Sequence, residues 1–153
     1  MKKSLFITAL ALAFCMPILS AQSTAPKTAT KKESQVTPVA VKTAFKQRFP
    51  TVTKVEFERE KNGEYEAGFK MDGLKMSANF TPEGTWKETE SEIAATSLPA
   101  NISKAIAAKY PSAKVVGAAK IVTSENGTRY EADLKTGTKS SEVLFDEAGN
   151  LVK

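Results

Sequence analysis

The residues of this sequence that could carry out chemistry are almost all carboxylates. The chain has 153 residues, no histidine and one cysteine, Cys15. Glu56 and Glu58 fall on one face of a strand-like segment, as do Glu64 and Glu66. Spacing of i to i+2 along a strand separates such pairs by roughly 7 Å, which is loosely compatible with the paired carboxylates of glycosidases. Carboxylate chemistry is therefore the one enzymatic route that the sequence leaves open.

The same pattern has a simpler interpretation as a solvent-exposed strand. Mixed charges at alternate positions form cross-strand pairs and favour solubility. No pocket motif accompanies the glutamate pairs. We therefore predict that the protein is not an enzyme and has no catalytic residues, no cofactor and no metal ligands, and a carboxylate-dependent hydrolase is the least favoured alternative.

The first residues have the features of a secretory signal. Lys2 and Lys3 precede an apolar stretch over 5–19, and Ser20-Ala21-Gln22 is a plausible cleavage region. We predict a signal peptide over 1–21, a flexible leader over 22–35, and a periplasmic or secreted location with no transmembrane segment after cleavage. Cys15 raises a lipoprotein alternative, but Phe14 is bulky for the residue before a lipid-modified cysteine. Cleavage would leave neither cysteine nor histidine, which excludes disulfides, thiolate or imidazole metal sites and histidine-assisted nucleophiles.

The charge distribution argues against a nucleic-acid partner. The net charge is +5, but from residue 36 onward 17 Lys and Arg face 16 Asp and Glu. A nucleic-acid-binding protein concentrates basic charge on its folded body. We predict that the partner is an envelope protein or a small ligand, and the sequence leaves the oligomeric state open.

The second half of the sequence repeats the first. Thr37-Pro38 and Leu98-Pro99 open apolar stripes of helical period that end at Phe49-Pro50 and Tyr110-Pro111. Four segments of period two follow each stripe, and the last of them is expected at 151–152. We predict an α+β fold of two tandem units, 36–96 and 97–153, each a helix followed by a four-stranded antiparallel sheet, with the helices on one face of the sheets.

Helix starts and strand faces follow from the same pattern. Thr37 is expected to cap the first helix with Pro38 as its first residue, and Ser97 or Leu98 to cap the second. The strand residues expected against the helices are Val55, Phe57, Tyr65, Ala67, Phe69, Ala78, Phe80, Trp86, Tyr130, Ala132, Leu134, Val143 and Phe145. The expected solvent-facing set is Glu56, Glu58, Glu64, Glu66, Lys70, Lys75, Asn79, Arg129, Glu131, Asp133, Lys135 and Glu142.

Residues of this outer face form the predicted partner-binding surface. The candidates are Glu56, Glu66, Lys70, Asp72, Asn79, Glu131, Asp133 and Leu144. Asp72 is included because it lies at a hairpin tip, although Asp-Gly also simply favours a tight turn. Leu144 is included because exposed apolar residues mark interaction sites. Like Val115, Ile121 and Val152, it is an apolar residue at a position where the strand alternation predicts exposure to solvent. Burial at the junction of the two units is the alternative for these four.

The glycine-containing segment 146–150 has a calcium site as an alternative to a simple turn. Asp146-Glu147-Ala148-Gly149-Asn150 resembles the start of an acidic loop. An EF-hand needs oxygen ligands at alternate positions, and Ala148 occupies the third. A glycine-containing hairpin turn explains the segment, and an irregular calcium site stays open.

The order of these features resembles a known family. Both halves have a proline-led helix, an Asn-Gly (Asn62-Gly63, Asn126-Gly127), a Tyr-Glu-Ala (65–67, 130–132) and a Phe before a glycine turn (Phe80, Phe145). This arrangement resembles the PepSY-like, β-lactamase-inhibitor-like family of periplasmic proteins over residues 37–153. The resemblance implies tandem helix-plus-four-strand units with a concave sheet face. It also implies likeness to an inhibitor that uses its sheet surface and hairpin loops to block an enzyme, whereas the loops here have no cysteine.

We therefore expect an exported, non-enzymatic binding or regulatory module that acts through the outer sheet face. Inhibition of an envelope enzyme is the sharpest form of this hypothesis. The alternative is a periplasmic sensor that responds to a small ligand or to calcium.

Overall fold

The computed structural model describes residues 36–152. The predicted signal peptide and leader lie outside the described residues. The elements are α1 (Val39–Arg48), β1 (Val55–Arg59), β2 (Tyr65–Met71), β3 (Leu74–Phe80), β4 (Trp86–Ile93), a 3-10 turn (Ala95–Ser97), α2 (Ala100–Lys109), β5 (Lys114–Thr123), β6 (Gly127–Thr136) and β7 (Lys139–Asp146).

The strands form one antiparallel sheet in chain order, β1 to β7. Strands β4 and β5 pair from Glu88 opposite Thr123 to Ile93 opposite Ala118, so the ladders of the two halves are continuous. The α+β class is confirmed, but the prediction of two four-stranded units holds only in part. Within the described residues, the expected eighth strand at 151–152 is a single bridge between Phe145 and Leu151.

The two helices have nearly the same geometry. The backbone N–H of Phe49 bonds the carbonyl of Phe45 at 2.8 Å, and Tyr110 bonds Ile106 at the same distance. A proline follows each pair and ends the helix, since it disfavours helical backbone in the residue before it. The helix starts were predicted wrongly: the N-caps are Pro38 and Pro99, with ψ of 146° and 143° and no side-chain cap. Proline suits this position because its φ is fixed and no N–H is left unsatisfied.

Each helix covers its own half of one sheet face. In the first half, Val41, Phe45 and Phe49 pack on β2 and β3, and the Phe45 ring lies 5.1 Å from that of Phe69 and 5.5 Å from that of Phe57. The second core is mainly aliphatic around one phenylalanine and centres on Ile102, Ile106, Ala132, Leu134 and Phe145. Every strand residue predicted to face the helices belongs to one of these two cores or packs against it.

Two glycine turns hold the sheet to the helices. Gly84, at φ 89°, lies so close to α1 that a Cβ would come within 2.8 Å of the Ala40 carbonyl oxygen. Gly149, at φ 86°, lies against Asn101 of α2, whose Nδ2 donates to the Glu147 carbonyl at 2.8 Å. The repeated turn therefore serves the same packing purpose in both halves.

Candidate functional site

The sheet face opposite the helices, called the outer face below, carries the candidate site. Directly opposed residues of neighbouring strands share a face. Four rows of opposed residues cross the sheet on this face. The first row is Glu58, Glu66, Asn79 and Glu88, and the second is Glu56, Gly68, Ser77, Glu90, Ile121 and Arg129. The third row is Glu92, Ala119, Glu131 and Leu144, and the fourth is Gly117, Asp133 and Glu142. Residues far apart in sequence are thus brought side by side.

Carboxylates outnumber cations on the outer face. The acidic residues at outer positions are Glu56, Glu58, Glu66, Glu88, Glu90, Glu92, Glu131, Asp133, Glu142 and Asp146, and the basic ones are Lys70, Lys75, Lys114, Arg129 and Lys135. Lys75 pairs with Glu92 at 3.1 Å across β3 and β4. The face is therefore acidic, and not the balanced set of charges that solubility alone requires.

The tightest group of carboxylates lies on β6 and β7. One carboxylate oxygen each of Glu131, Asp133 and Glu142 lies within 4.8 Å of the others. Gly117 makes room for this group, because a Cβ there would overlap the Asp133 carboxylate. Desolvation, followed by the negative charges of Glu142 and Glu90, raises the pKa of Glu131 to about 8. Such a set of oxygens has the chemistry to bind a divalent cation or a partner's basic side chain.

Carboxyls on β2 and β4 also have raised pKa values. Desolvation, together with the charges of Glu88, Glu66 and Glu142, raises the pKa of Glu90. Desolvation and the neighbouring Glu60 raise the pKa of Glu66. Three half-buried carboxyls on alternate strands are thus less stable as anions than ordinary surface glutamates.

Asn79 lies between two of these strands with one unsatisfied atom. Its Nδ2 donates to Glu88 Oε1 at 3.2 Å. Its Oδ1 is buried and has no hydrogen-bond donor among the residues that the structure describes. A buried acceptor without a donor costs free energy. Among the described residues, this part of the outer face therefore has one acceptor more than its donors satisfy.

Apolar side chains also reach the outer face. Ile121 (8% exposed) and Ala119 (4% exposed) belong to neither core, and Leu144 lies opposite Glu131. The placement of Val115 on this face was predicted wrongly. A register shift between residues 115 and 117 turns it inward, opposite Leu134, where it packs on the second core.

The structure brings most of the predicted site residues onto one face. Glu56, Glu66, Lys70, Asn79, Glu131, Asp133 and Leu144 all occupy outer positions. Asp72 lies apart, in the turn between β2 and β3, where its φ of 52° fits the left-handed backbone of a tight turn. Glu64, which was expected on the strand, precedes β2 and accepts a bond from Asn62 in the first hairpin turn.

The carboxylates of β4 were missed by sequence reasoning. Glu88, Glu90 and Glu92 alternate with Thr89, Ser91 and Ile93, so two of the three inward positions are polar. Thr89 is nevertheless buried, and its hydroxyl accepts a bond from Trp86 Nε1 at 2.9 Å. The alternating glutamates could have indicated a strand, but the residues between them are not a regular series of apolar residues.

The acidic segment at 146–150 is a turn. The Asp146 carboxylate accepts bonds from the backbone N–H and the Nδ2 of Asn150 at 2.8 and 3.0 Å. These bonds lower the pKa of Asp146. Asp146 does not belong to the carboxylate group on β6 and β7.

Within residues 36–152, fold and site together define a small α+β protein with two helices on one side of a single antiparallel sheet and an acidic opposite face that no described helix covers. The family model described as "Putative beta-lactamase-inhibitor-like, PepSY-like" matches residues 27–77 and 63–153, and the chain belongs to this family. A search of curated proteins gave no match. No helix within residues 36–152 has the length and apolar character needed to cross a membrane.

Solved structures of similar fold come from Bacteroides species. A B. eggerthii protein described as one of the "putative periplasmic proteins" matches with a TM-score of 0.70 and 21% identity, covering 76% of this chain and 86% of that one. A DUF2874 family protein of B. uniformis has a TM-score of 0.70, 19% identity and the same coverage. A "BLIP-like protein" of B. fragilis has a TM-score of 0.64 and 25% identity, covering 74% and 82%.

Proposed function

We propose that this protein is an exported, non-enzymatic binding or regulatory module that contacts its partner through the outer face. The observation that carries the proposal is the contrast between the two sides of the sheet. Both helices and both cores occupy one side, whereas the other presents half-buried carboxylates together with Leu144. A sheet face with this composition is suited to binding another molecule.

The comparisons support both the location and the type of function. The B. eggerthii relative of similar fold is described as one of the "putative periplasmic proteins", which agrees with the signal peptide predicted over residues 1–21 and supports a periplasmic or secreted location. The family description and the BLIP-like relative favour inhibition of an envelope enzyme as the sharpest form of the proposal. In that form the turn at Asp72 would contact the enzyme beside the outer face.

Co-purification from native envelope extract tests the proposal. The bait is the exported chain, and the test variant replaces Glu66, Lys70, Asn79 and Glu131 by alanine. The control replaces Gln47, Glu83, Lys104 and Glu147, which are exposed residues of the helices and turns, with the same change in net charge. A stoichiometric partner retained by the control and lost by the test variant supports the proposal. A partner that both variants retain would place the binding site elsewhere and contradict it.

A second candidate is a calcium-responsive or small-ligand sensor. The observation that favours it is the grouping of Glu131, Asp133 and Glu142 oxygens within 4.8 Å. A ligand that binds only the folded state raises the melting temperature. The test is therefore a thermal melt with millimolar CaCl₂ for the wild type and for Glu142→Gln. A stabilisation that the variant loses supports the sensor, and equal melting temperatures with and without calcium contradict it.

A further inference from the structure

The outer face has a specific electrostatic character that narrows the chemistry of its partner. From residue 36 onward the chain is nearly neutral, yet its charges are segregated. Lys42, Lys46, Lys104 and Lys109 are exposed on the helices, whereas carboxylates occupy outer positions on five of the seven strands. A neutral body with one acidic face attracts cations to that face.

The hydrogen-bonding groups of the outer face also favour a cationic partner. An ionised carboxylate only accepts hydrogen bonds. A partner that binds these carboxylates therefore supplies donors, and lysine and arginine supply donors and positive charge together.

The surroundings of Glu131 also suit a long basic side chain. In its row across the sheet, Ala119 lies on one side of Glu131 and Leu144 on the other. Leu144 is partly exposed, so an arginine or lysine can pack its aliphatic stem on it while its head meets the carboxylate. An apolar side chain of the partner would complete the contact at Leu144.

We propose that the outer face binds a cationic protein segment, one that presents Arg or Lys side chains to Glu66, Glu90 and Glu131 and an apolar side chain to Leu144. This inference rests on the proposed function, since it names the partner chemistry for the same face.

The proposal makes binding depend on pH. A bound cation stabilises carboxylates that otherwise repel one another, so binding strengthens as pH rises and Glu131, with its pKa of about 8, loses its proton. The charged groups that face Glu131 from its own strand and from neighbouring elements are Glu90, Glu92, Arg129, Asp133 and Glu142.

The experiment measures the affinity of the exported chain for two synthetic decapeptides, one alternating arginine with leucine and one alternating glutamate with leucine. We expect only the arginine peptide to bind, about tenfold more weakly at 0.5 M than at 0.05 M NaCl. We also expect its affinity to rise between pH 6 and pH 9. Glu90→Gln/Glu131→Gln should weaken binding about fivefold to tenfold and flatten the pH dependence. Glu83→Gln/Glu147→Gln, which replaces the same number of carboxyls at exposed turns, should leave both the affinity and its pH dependence unchanged.

Each other outcome overturns the inference. Equal loss in both double variants would mean that the peptide responds to net charge alone. Binding of the glutamate peptide, or of neither peptide, would exclude a cationic segment. If the co-purification still finds an outer-face partner in that case, the proposed function stands and only its cationic chemistry fails. Displacement of the arginine peptide by calcium alone, with no salt dependence, would favour a metal site.

Discussion

Replacing Glu131 by glutamine should make the protein more stable at alkaline pH. The pKa of Glu131 is about 8 in the folded protein, against a reference value of 4.5. A group whose pKa is raised by folding favours the folded state below its unfolded pKa, and this contribution is lost as pH rises through the folded pKa. The difference corresponds to at most about 5 kcal/mol. Since the side chain is only half-buried, solvent screening reduces the expected effect to about 1–2 kcal/mol.

Urea unfolding at pH 5, 6.5 and 9 measures this effect at constant ionic strength. Wild type and Glu131→Gln should differ least at pH 5, where the carboxyl is protonated in the folded protein and the pH is only just above the reference value of 4.5 for the unfolded chain. At pH 9 the variant should be more stable by about 1–2 kcal/mol, because the wild type then holds a charged carboxylate beside Glu90 and Glu142. The control is Glu83→Gln, in the exposed turn between β3 and β4. Parallel pH profiles for wild type and Glu131→Gln would refute the account of this cluster.

Three further substitutions test the packing behind the face. Gly84→Ala should lower the free energy of unfolding by about 2–3 kcal/mol in urea titrations, since it combines a φ of 89° with overlap on the Ala40 carbonyl. Trp86→Phe should cost about 1 kcal/mol in thermal melts, since the Arg48 guanidinium lies 3.5 Å from the centre of the Trp86 ring. Phe145→Ala, at a fully buried site of the second core, should cost about 3–5 kcal/mol and shift the unfolding midpoint followed by Trp86 fluorescence.

These three predictions have direct controls. Gly73→Ala has a φ of 79° with open space at the Cβ position, so it should cost less than Gly84→Ala. An equal cost would refute the role of the close approach to α1. Arg48→Met should lose most of the stability that Trp86→Phe loses. If Arg48→Met lost no stability, the contact between Arg48 and the Trp86 ring would not stabilise the fold. If Phe145→Ala left the Trp86 transition unchanged while circular dichroism showed a second one, the two halves would not unfold as one cooperative sheet.

The sequence predicted the fold to the extent that local patterns encode it. The helix stripes ending at Phe49 and Tyr110 and the inward alternation of the strands needed only helical and strand periods. The pairing of β4 with β5 was not predicted, because pairing between the halves is a long-range choice that internal repetition does not reveal. The bulge that turns Val115 inward was missed for a related reason. A single extra residue in a strand moves the side chains before it to the opposite face of the sheet.

The site was predictable only in part. Glu66, Glu131 and Asp133 were found because apolar residues alternate with them along their strands. Glu90 was missed because Thr89 and Ser91 occupy the inward positions beside it. The raised pKa of Glu131 depends on its desolvation and on Glu142 and Glu90, which come from two other strands. No inspection of a single segment brings those three carboxyls together.

Photo-crosslinking in living cells tests the central claim most directly. A benzoylphenylalanine placed at Ser77, opposite Gly68 and Glu90 near the middle of the outer face, should form a discrete crosslinked product on irradiation. The same residue placed at Lys104, on the exposed side of α2, should not. A product at Lys104 with none at Ser77 would show that the partner binds the helical side, and would contradict the assignment of the outer face as the binding surface.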